Sequence, residues 1–247
     1  MKKLLLVILL IPLGCINAPL KSGISSGDID RLTAFMNMCE RDIRNTRQVI
    51  LDRDIVKNLS HLQFMNAGGK KFYLLERESI TSMLRAVTEG IYSDYILVNS
   101  KGTVIYTMNN NDLFSKNVKT QLRHSPLNES FRHRSEVYHF QAARFSGITG
   151  SSHLFISCVA EGGDTFPGII ILQVNMSKIL ELLGRDTRIL DSSGRYMISQ
   201  ESGFTEMTGE KAAQAGIYSN SNGIKGAGPG KGRPFTHRNL EWILIQR

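Results

Sequence analysis

The chain has 247 residues, enough for one large domain or two small ones. Its hydrophobic fraction of 41% and its charged fraction of 21% are typical of a globular protein and exclude a disordered one. The formal net charge of +8 suits an anionic surface or an acidic ligand, but no basic run is interleaved with aromatic residues, so we expect no nucleic-acid partner.

The first fifteen residues have the pattern of a secretory leader. Two lysines precede an unbroken apolar run over residues 4–10, which is too short to cross a bilayer. The run closes on Pro12-Leu13-Gly14-Cys15, which resembles the lipobox of bacterial lipoproteins, although proline departs from the usual pattern. The alternative is an ordinary signal peptide cut after Ala18, which the following Pro19 disfavours.

The lipobox resemblance implies a signal peptide over residues 1–14 and a lipid on Cys15, followed by a polar tether over 15–27. Acyl chains contribute about 0.8 kcal/mol of membrane affinity per buried methylene group, so the lipid would anchor the chain. We therefore expect a membrane-anchored extracytoplasmic lipoprotein, periplasmic or on the cell surface. Cys39 and Cys158 lie in apolar patterns and predict buried thiols, with a disulfide between them as the alternative.

A helical pattern begins at Asp28, which we interpret as the N-cap. Its apolar residues alternate at spacings of three and four, as in a coiled coil, and this heptad seam comprises Ile29, Leu32, Met36, Cys39 and Ile43. The pattern continues toward Ala67-Gly68-Gly69, and it predicts one helix over 28–66 with a length above about 50 Å. The seam can pack along the body of the chain or pair with a second copy, and we expect a parallel homodimer.

A second helix is predicted from Ile80 to Gly90, after which the apolar period changes to two. Residues 95–98 and 103–106 flank a polar turn that ends in glycine, which predicts a hairpin. Two short helices are predicted at 126–134 and 176–183. Further strands are predicted at 137–144, 154–159, 168–174, 188–190, 196–198 and 240–245.

The segment Asp94–Tyr106 resembles the opening hairpin of a Cache domain. Cache domains are extracytoplasmic PAS-like sensor modules of chemoreceptors, histidine kinases and cyclic-dinucleotide enzymes. Later pieces of the family pattern follow in order, with a polar segment at 111–117, a cross helix at 125–131, and closing strands at 154–157 and 168–173. The shorter cycle from Thr187 to Leu244 resembles a second, membrane-proximal module.

The resemblance implies an α+β fold in which a long N-terminal helix is followed by two PAS-like (Cache) antiparallel-sheet modules, the second one short. The expected division is a helix at 28–66, a membrane-distal module at 67–184 and a membrane-proximal module at 185–247. In receptors of this family the last strand runs into a transmembrane helix, whereas this sequence stops at Arg247. We therefore expect it to signal through a separate membrane receptor or kinase.

The sequence contains no motif that predicts catalysis. The six histidines lack zinc-ligand spacing, and no serine-nucleophile motif occurs. The glycine-rich stretch 223–232 does not match a phosphate-binding loop and predicts a flexible hairpin loop instead. We expect no enzymatic activity, no metal site and no cofactor.

In Cache modules the ligand lies between the central strands and the cross helix of the distal module. By this resemblance, the residues expected at the ligand site are Tyr106, Arg132, Arg134, Tyr138, Phe140, Arg144 and Phe155. Arg132 or Arg134 would bind a carboxylate, and the aromatic rings would enclose an alkyl group or a methylated amine. Each residue also has a plainer role, as a core ring or a surface charge. The amino-acid-binding signature of some family members is absent, since the only tryptophan is Trp242.

Two functions remain open at this point. The leading one is a lipid-anchored sensor that binds a small molecule, acidic or amine-containing, and signals through a membrane partner. The alternative is a structural or interaction lipoprotein that has lost its ligand and dimerises through its long helix.

Overall fold

The computed structural model describes residues 24–63, 67–88, 90–134, 137–142, 153–160, 168–184, 187–191, 196–198, 217–220, 223–227 and 232–246. The leader and Cys15 lie outside these residues, so the signal-peptide and lipidation predictions are not addressed by the fold. Among the helices described, none combines the length and the apolar character needed to cross a membrane.

The first helix, α1, spans Ser26–Asp52 and starts with a capping box. The Asp28 backbone N–H donates to Ser25 Oγ at 3.2 Å, and the Ser25 backbone N–H donates to Asp28 Oδ2 at 2.8 Å. Ser25 is therefore the N-cap, and Asp28 is the third helical residue instead of the predicted cap. The reciprocal bonds satisfy backbone donors that a helix start leaves unpaired.

The predicted single helix over 28–66 is interrupted after α1. Asp54 has a left-handed backbone with φ +52°, and a separate helix, α2, spans Ile55–Gln63. The heptad seam explains the break, because its next positions after Ile50 fall on Arg53 and Lys57, both of which are exposed. A charged residue cannot continue a buried seam without a partner.

The next helix, α3, spans Ala67–Thr88 and begins where the sequence predicted a helix end. Glycines 68 and 69 each disfavour a helix by about 1 kcal/mol relative to alanine. Contacts with the sheet hold α3 in place: Tyr73 Oη donates to the Ile105 carbonyl at 2.6 Å, and Arg77 Nη2 donates to the Thr107 carbonyl at 3.2 Å. Tertiary packing therefore overrides the local signal of the glycine pair.

A five-stranded antiparallel sheet forms the larger half of the fold. Its strands are β1 (Tyr92–Asn99), β2 (Val104–Thr107), β3 (Tyr138–Ala142), β4 (His153–Val159) and β5 (Gly168–Val174), in the spatial order β2-β1-β5-β4-β3. Between β2 and β3 lie a short 3₁₀ turn (Asn111–Leu113) and helix α4 (Pro126–His133), and α5 (Met176–Leu183) follows β5. The predicted hairpin, cross helix and closing strands are confirmed.

A second antiparallel sheet comprises β6 (Thr187–Asp191), β7 (Tyr196–Ile198), β10 (Gly232–His237) and β11 (Leu240–Gln246), in the order β10-β11-β6-β7. The remaining pair consists of β8 (Ile217–Asn220) and β9 (Gly223–Ala227). The glycine-rich stretch 223–232 is therefore not a loop throughout, since β9 occupies its first half and β10 begins at its end. The α+β fold, with a long N-terminal helix and antiparallel sheets, is confirmed.

The heptad seam of α1 is buried within one chain. Leu32, Met36, Cys39 and Ile43 are each 0% exposed, and α1 lies against β4, β5 and α5. The prediction that this seam pairs with a second copy is therefore wrong, because the chain's own sheet and helix already cover it. Cys39 and Cys158 are both buried thiols with no disulfide between them, as the apolar patterns predicted.

Candidate functional site

One face of the five-stranded sheet is covered by α4 and by residues 113–122. Leu127 and Phe131 of α4 join a buried apolar cluster whose sheet members are Ile96, Val98, Val104, Phe155, Ile169 and Ile171. We call this surface the α4 face. It is the surface on which the Cache resemblance places a ligand, and α1 covers the opposite face.

Neutral polar side chains are buried among these apolar ones. Ser157 pairs across the strands with Ile171, and Gln173 pairs with Phe155, so both lie on the α4 face. Ser130 of α4 is 2% exposed, and its Oγ has no hydrogen-bond partner among the described residues. Burying a hydroxyl without a hydrogen-bond partner costs about 1–3 kcal/mol of folding free energy, so a ligand that bonds to Ser130 Oγ would recover that amount as binding free energy.

Asp94, near the start of β1, is also buried, but its carboxylate already has hydrogen-bond donors within the chain. Its carboxylate accepts hydrogen bonds from Thr107 Oγ1 at 2.8 Å and from the backbone N–H groups of Tyr95, Met108 and Asn109 at 2.7, 2.8 and 3.1 Å. Burial raises the pKa of Asp94, although these four donors act in the opposite direction. The acidic residue of the hairpin pattern therefore holds the end of β2 in place.

The predicted ligand residues are divided between the two faces of the sheet. Phe155 is fully buried on the α4 face, and Tyr138 packs beside it, half-buried. The Tyr138 hydroxyl donates to Glu129 Oε1 at 2.8 Å. Tyr106 belongs to the cluster on the α1 face, where its hydroxyl lies 2.9 Å from Thr81 Oγ1. A ligand on the α4 face therefore does not reach Tyr106.

The predicted arginines lie at the rim of this surface. Arg132 and Arg134 are exposed at the C-terminal end of α4, and the Arg134 guanidinium lies 5.4 Å from the centroid of the Phe131 ring. The backbone of Phe140 pairs in register with Phe155, but its side chain lies outside the described part of the structure. Arg144 lies wholly outside it.

A second polar centre lies on the opposite side of the sheet, around Glu40 of α1. Glu40 is only 3% exposed, so its carboxylate is a buried acidic group. Its Oε1 accepts from His139 Nε2 and His237 Nε2, both at 2.9 Å, and its Oε2 accepts from Arg238 Nη2 at 2.6 Å. Arg238 Nε also donates to Oε1, so the guanidinium binds both oxygens. Arg44 Nη2 adds a longer contact to Oε2 at 3.4 Å.

Three separate elements supply this centre. Glu40 comes from α1 and His139 from β3, whereas the β10–β11 hairpin supplies His237, the last residue of β10, and Arg238, in the turn that follows. Asn239 of the same turn accepts from the His139 backbone N–H through Oδ1 at 3.1 Å, and its Nδ2 donates to the His139 carbonyl. We call these five residues the Glu40 junction. It joins α1, the five-stranded sheet and the four-stranded sheet.

The charges of the junction follow from its geometry. Burial alone would raise the pKa of Glu40, but the hydrogen bonds from Arg238, His237 and His139 outweigh it and lower the pKa to about 2. Burial lowers the pKa of His139 to about 4 despite the nearby carboxylate. At pH 7 the centre is therefore an ionised carboxylate paired with Arg238, and the neutral His139 donates from Nε2.

Glu40, His139 and His237 belong to the residue types that bind Zn²⁺, and their ligand atoms lie within 4.8 Å of one another. Two features oppose a metal ion here. The Arg238 guanidinium already occupies both carboxylate oxygens. A metal on His139 Nε2 would also place the proton on Nδ1, which is buried without a partner among the described residues. The geometry favours an ion-pair centre.

Sequence reasoning missed the Glu40 junction, although one signal was present. Glu40 lies four residues after Met36 and three before Ile43, next to the apolar stripe of α1. A carboxylate at such a position requires a buried partner. The histidine spacing carried no signal, because His139 and His237 are brought together only by the docking of one sheet on the other.

Comparison with known structures finds a similar fold in proteins of very different sequence. The ligand-binding domain of the Pseudomonas fluorescens chemoreceptor CtaA, crystallised with L-leucine, matches with a TM-score of 0.56 and 13% identity over 90% of each chain. The sensor domain of the V. cholerae histidine kinase DctB matches with a TM-score of 0.57 and 12% identity, over 89% of this chain and 94% of that one. The chain shares the fold of these two domains.

An extracellular ligand binding receptor from Desulfohalobium retbaense DSM5692 is also similar, with a TM-score of 0.56 and 8% identity. The match covers 88% of this chain but only 38% of that receptor chain. No protein-family model matches the sequence, and no curated protein matches it. At these identities the likeness establishes the fold alone.

Proposed function

We propose that this protein is an extracytoplasmic, lipid-anchored sensor domain that binds a small molecule on the α4 face and acts on a membrane receptor or kinase. The observation that carries the proposal is the likeness to the CtaA and DctB sensor domains over 90% and 89% of this chain. A lipid anchor would hold such a domain beside a membrane partner.

The α4 face favours a particular kind of ligand. Phe155 is an apolar ring buried beneath α4, and Ser130 Oγ is a buried polar atom that lacks a partner among the described residues. A small molecule with an apolar body and one hydrogen-bonding group fits this combination. An acidic or amine group would lie at the rim, close to Arg134 or Glu129.

A thermal-shift screen of organic acids, amines and nucleobases tests the proposal. A ligand at a hundredfold excess over its Kd raises stability by about 2.7 kcal/mol. For a chain of this size, that corresponds to about 5–11 °C in melting temperature.

Two conservative variants locate the site. Tyr138→Phe and Tyr106→Phe each remove one hydroxyl, but the first lies on the α4 face and the second on the α1 face. We expect the affinity of a hit to fall in Tyr138→Phe and to stay unchanged in Tyr106→Phe. The α4 face is the wrong site if both variants lose affinity equally or if only Tyr106→Phe does.

The anchor has its own test. Cys15→Ser removes the thiol that would carry the lipid, so we expect the variant in the soluble extracytoplasmic fraction and the unmodified protein in the membrane fraction. A variant that stays firmly in the membrane fraction would contradict lipidation at this residue.

A second candidate is an interaction lipoprotein that binds no ligand. The observation in its favour is the closed packing of the α4 face, where Leu127, Phe155 and Ile171 are all fully buried. Such a protein would give no hit in the screen. It would also need an interaction surface other than the seam of α1, which is covered within the chain.

A further inference from the structure

We propose that β3 couples the α4 face to the four-stranded sheet through the Glu40 junction. This proposal rests on the proposed function, since it assigns the route by which an occupied α4 face would alter the second sheet. Tyr138 and His139, consecutive residues of one strand, contact the two regions that must be coupled.

Side chains of consecutive strand residues point to opposite faces of a sheet. On one side of β3, the Tyr138 hydroxyl donates to Glu129 of α4, and its ring stacks on His133 with centroids 4.1 Å apart. On the other side, His139 Nε2 donates to Glu40 at 2.9 Å. A shift of β3 that a ligand on the α4 face induces therefore moves His139 as well.

The position of β3 in the sheet makes such a shift feasible. Among the described strands it lies at the edge of the sheet, where it pairs with β4. Its outer edge is held at His139 by the side-chain amide of Asn239, which bonds to both the backbone N–H and the carbonyl. The turn between β10 and β11 thus holds β3 at His139, and a movement of His139 changes these two hydrogen bonds.

The buried carboxylate of Glu40 favours two discrete positions of the turn relative to β3. If the turn separates from β3, Glu40 loses Arg238 and His237 together and keeps His139 as its partner from the five-stranded sheet. Breaking a buried ion pair is strongly unfavourable. Arrangements in which the turn is only partly separated from β3 are therefore disfavoured relative to a fully docked turn and a fully released turn. Two discrete arrangements of this kind are what coupling between distant sites requires.

The route ends beside a natural reporter. Trp242, the only tryptophan in the chain, lies in β11 and is 2% exposed. It pairs in register with Phe235, whose ring is parallel to that of His237 with centroids 6.3 Å apart. Release of the turn would therefore change the environment of the tryptophan.

The test uses the full chain purified in detergent, without any ligand. Tyr138→Phe removes the hydrogen bond to Glu129 and so perturbs β3 from its α4 side. Loss of one hydrogen bond typically changes an equilibrium by about fivefold. We expect the amide hydrogen exchange of residues 233–245 to change by about that factor, together with acrylamide quenching of Trp242.

The same substitution is then made in an Asn239→Ala background, where the two hydrogen bonds that hold β3 are already lost. We expect the effect of Tyr138→Phe on residues 233–245 to disappear there. Tyr106→Phe is the matched control, because it removes a hydroxyl from β2 at the opposite edge of the sheet, and it should leave these amides unchanged. If Asn239→Ala does not fold, Asn239→Asp, which lacks the donor to the His139 carbonyl, replaces it as the background.

The proposal is overturned if Tyr138→Phe leaves the exchange of residues 233–245 unchanged, if its effect persists in the Asn239 variant, or if Tyr106→Phe has the same effect. Its failure is distinct from failure of the sensor function. A ligand that binds without altering the Trp242 signal would refute the route and keep the sensor. An exchange effect that depends on Asn239, in a protein for which the screen finds no ligand, would support the route alone.

Discussion

Replacing Glu40 by glutamine is the sharpest test of what joins the two sheets. The substitution keeps the size of the side chain and one acceptor oxygen but removes the negative charge. The amide group then presents an N–H donor where Arg238 now donates, so two donors would face each other. We expect the variant to fold with lower stability.

The magnitude follows from the burial of the partners. Breaking a buried ion pair typically costs 3–5 kcal/mol, roughly. The Arg238 side chain is 48% exposed, so water compensates part of its loss. The remaining amide oxygen can still accept from His139 or His237. We therefore expect the free energy of unfolding to fall by about 2–3 kcal/mol, or about 4–12 °C in melting temperature.

Thermal unfolding followed by far-ultraviolet circular dichroism and by Trp242 fluorescence measures the effect. Glu181→Gln is the matched control, because Glu181 forms an exposed ion pair with Lys178 at 2.8 Å on α5. That variant should change the free energy of unfolding by less than about 0.5 kcal/mol. Equal losses in the two variants, or a Glu40→Gln protein as stable as the unmodified one, would refute the role of the buried charge.

Three further outcomes are expected. Acid should destabilise the protein in two pH windows, from pH 6.5 toward 4 because only the unfolded state readily protonates His139, and from pH 4.5 toward 2 because folding depresses the pKa of Glu40. Urea titrations at several pH values should show both losses of stability, and the second should be absent in Glu40→Gln. Gly168→Ala should abolish folding by circular dichroism, because its Cβ would lie 2.0 Å from a β1 carbonyl oxygen. Cys39 and Cys158 should resist a thiol reagent until the protein unfolds, because both are buried and burial raises the Cys39 thiol pKa to about 12; rapid labelling in native buffer would contradict this.

The parts of the fold that could be predicted are those that local patterns determine. The β1–β2 hairpin follows from its polar turn, and Met176–Leu183 forms a helix with the predicted bounds. The sequence places the end of α1 too late because apolar residues continue through Ile55 and Leu59. These two residues belong to a new helix that starts after Asp54, and the charged residues at the next seam positions, Arg53 and Lys57, were the local signal of the break.

The candidate site was less predictable for a related reason. Tyr106 and Phe155 both lie in apolar strands, and nothing local indicates which face each one occupies. The pairing between β1 and β2 contains a register shift after Leu97, and Tyr106 pairs with that residue, which faces α1. The face of a strand residue depends on such irregularities, because a shift by one residue exchanges the two faces.

Glu40 also explains why the seam of α1 is covered within the chain. In a parallel coiled coil, a residue at this flanking position would face Phe35 of the second copy, which carries no charge to pair with the carboxylate. Docking within the chain instead supplies His139 from β3, and His237 and Arg238 from the β10–β11 hairpin. Because a buried carboxylate without a partner is strongly unfavourable, the turn near the end of the chain is a better partner for this part of α1 than a second copy would be.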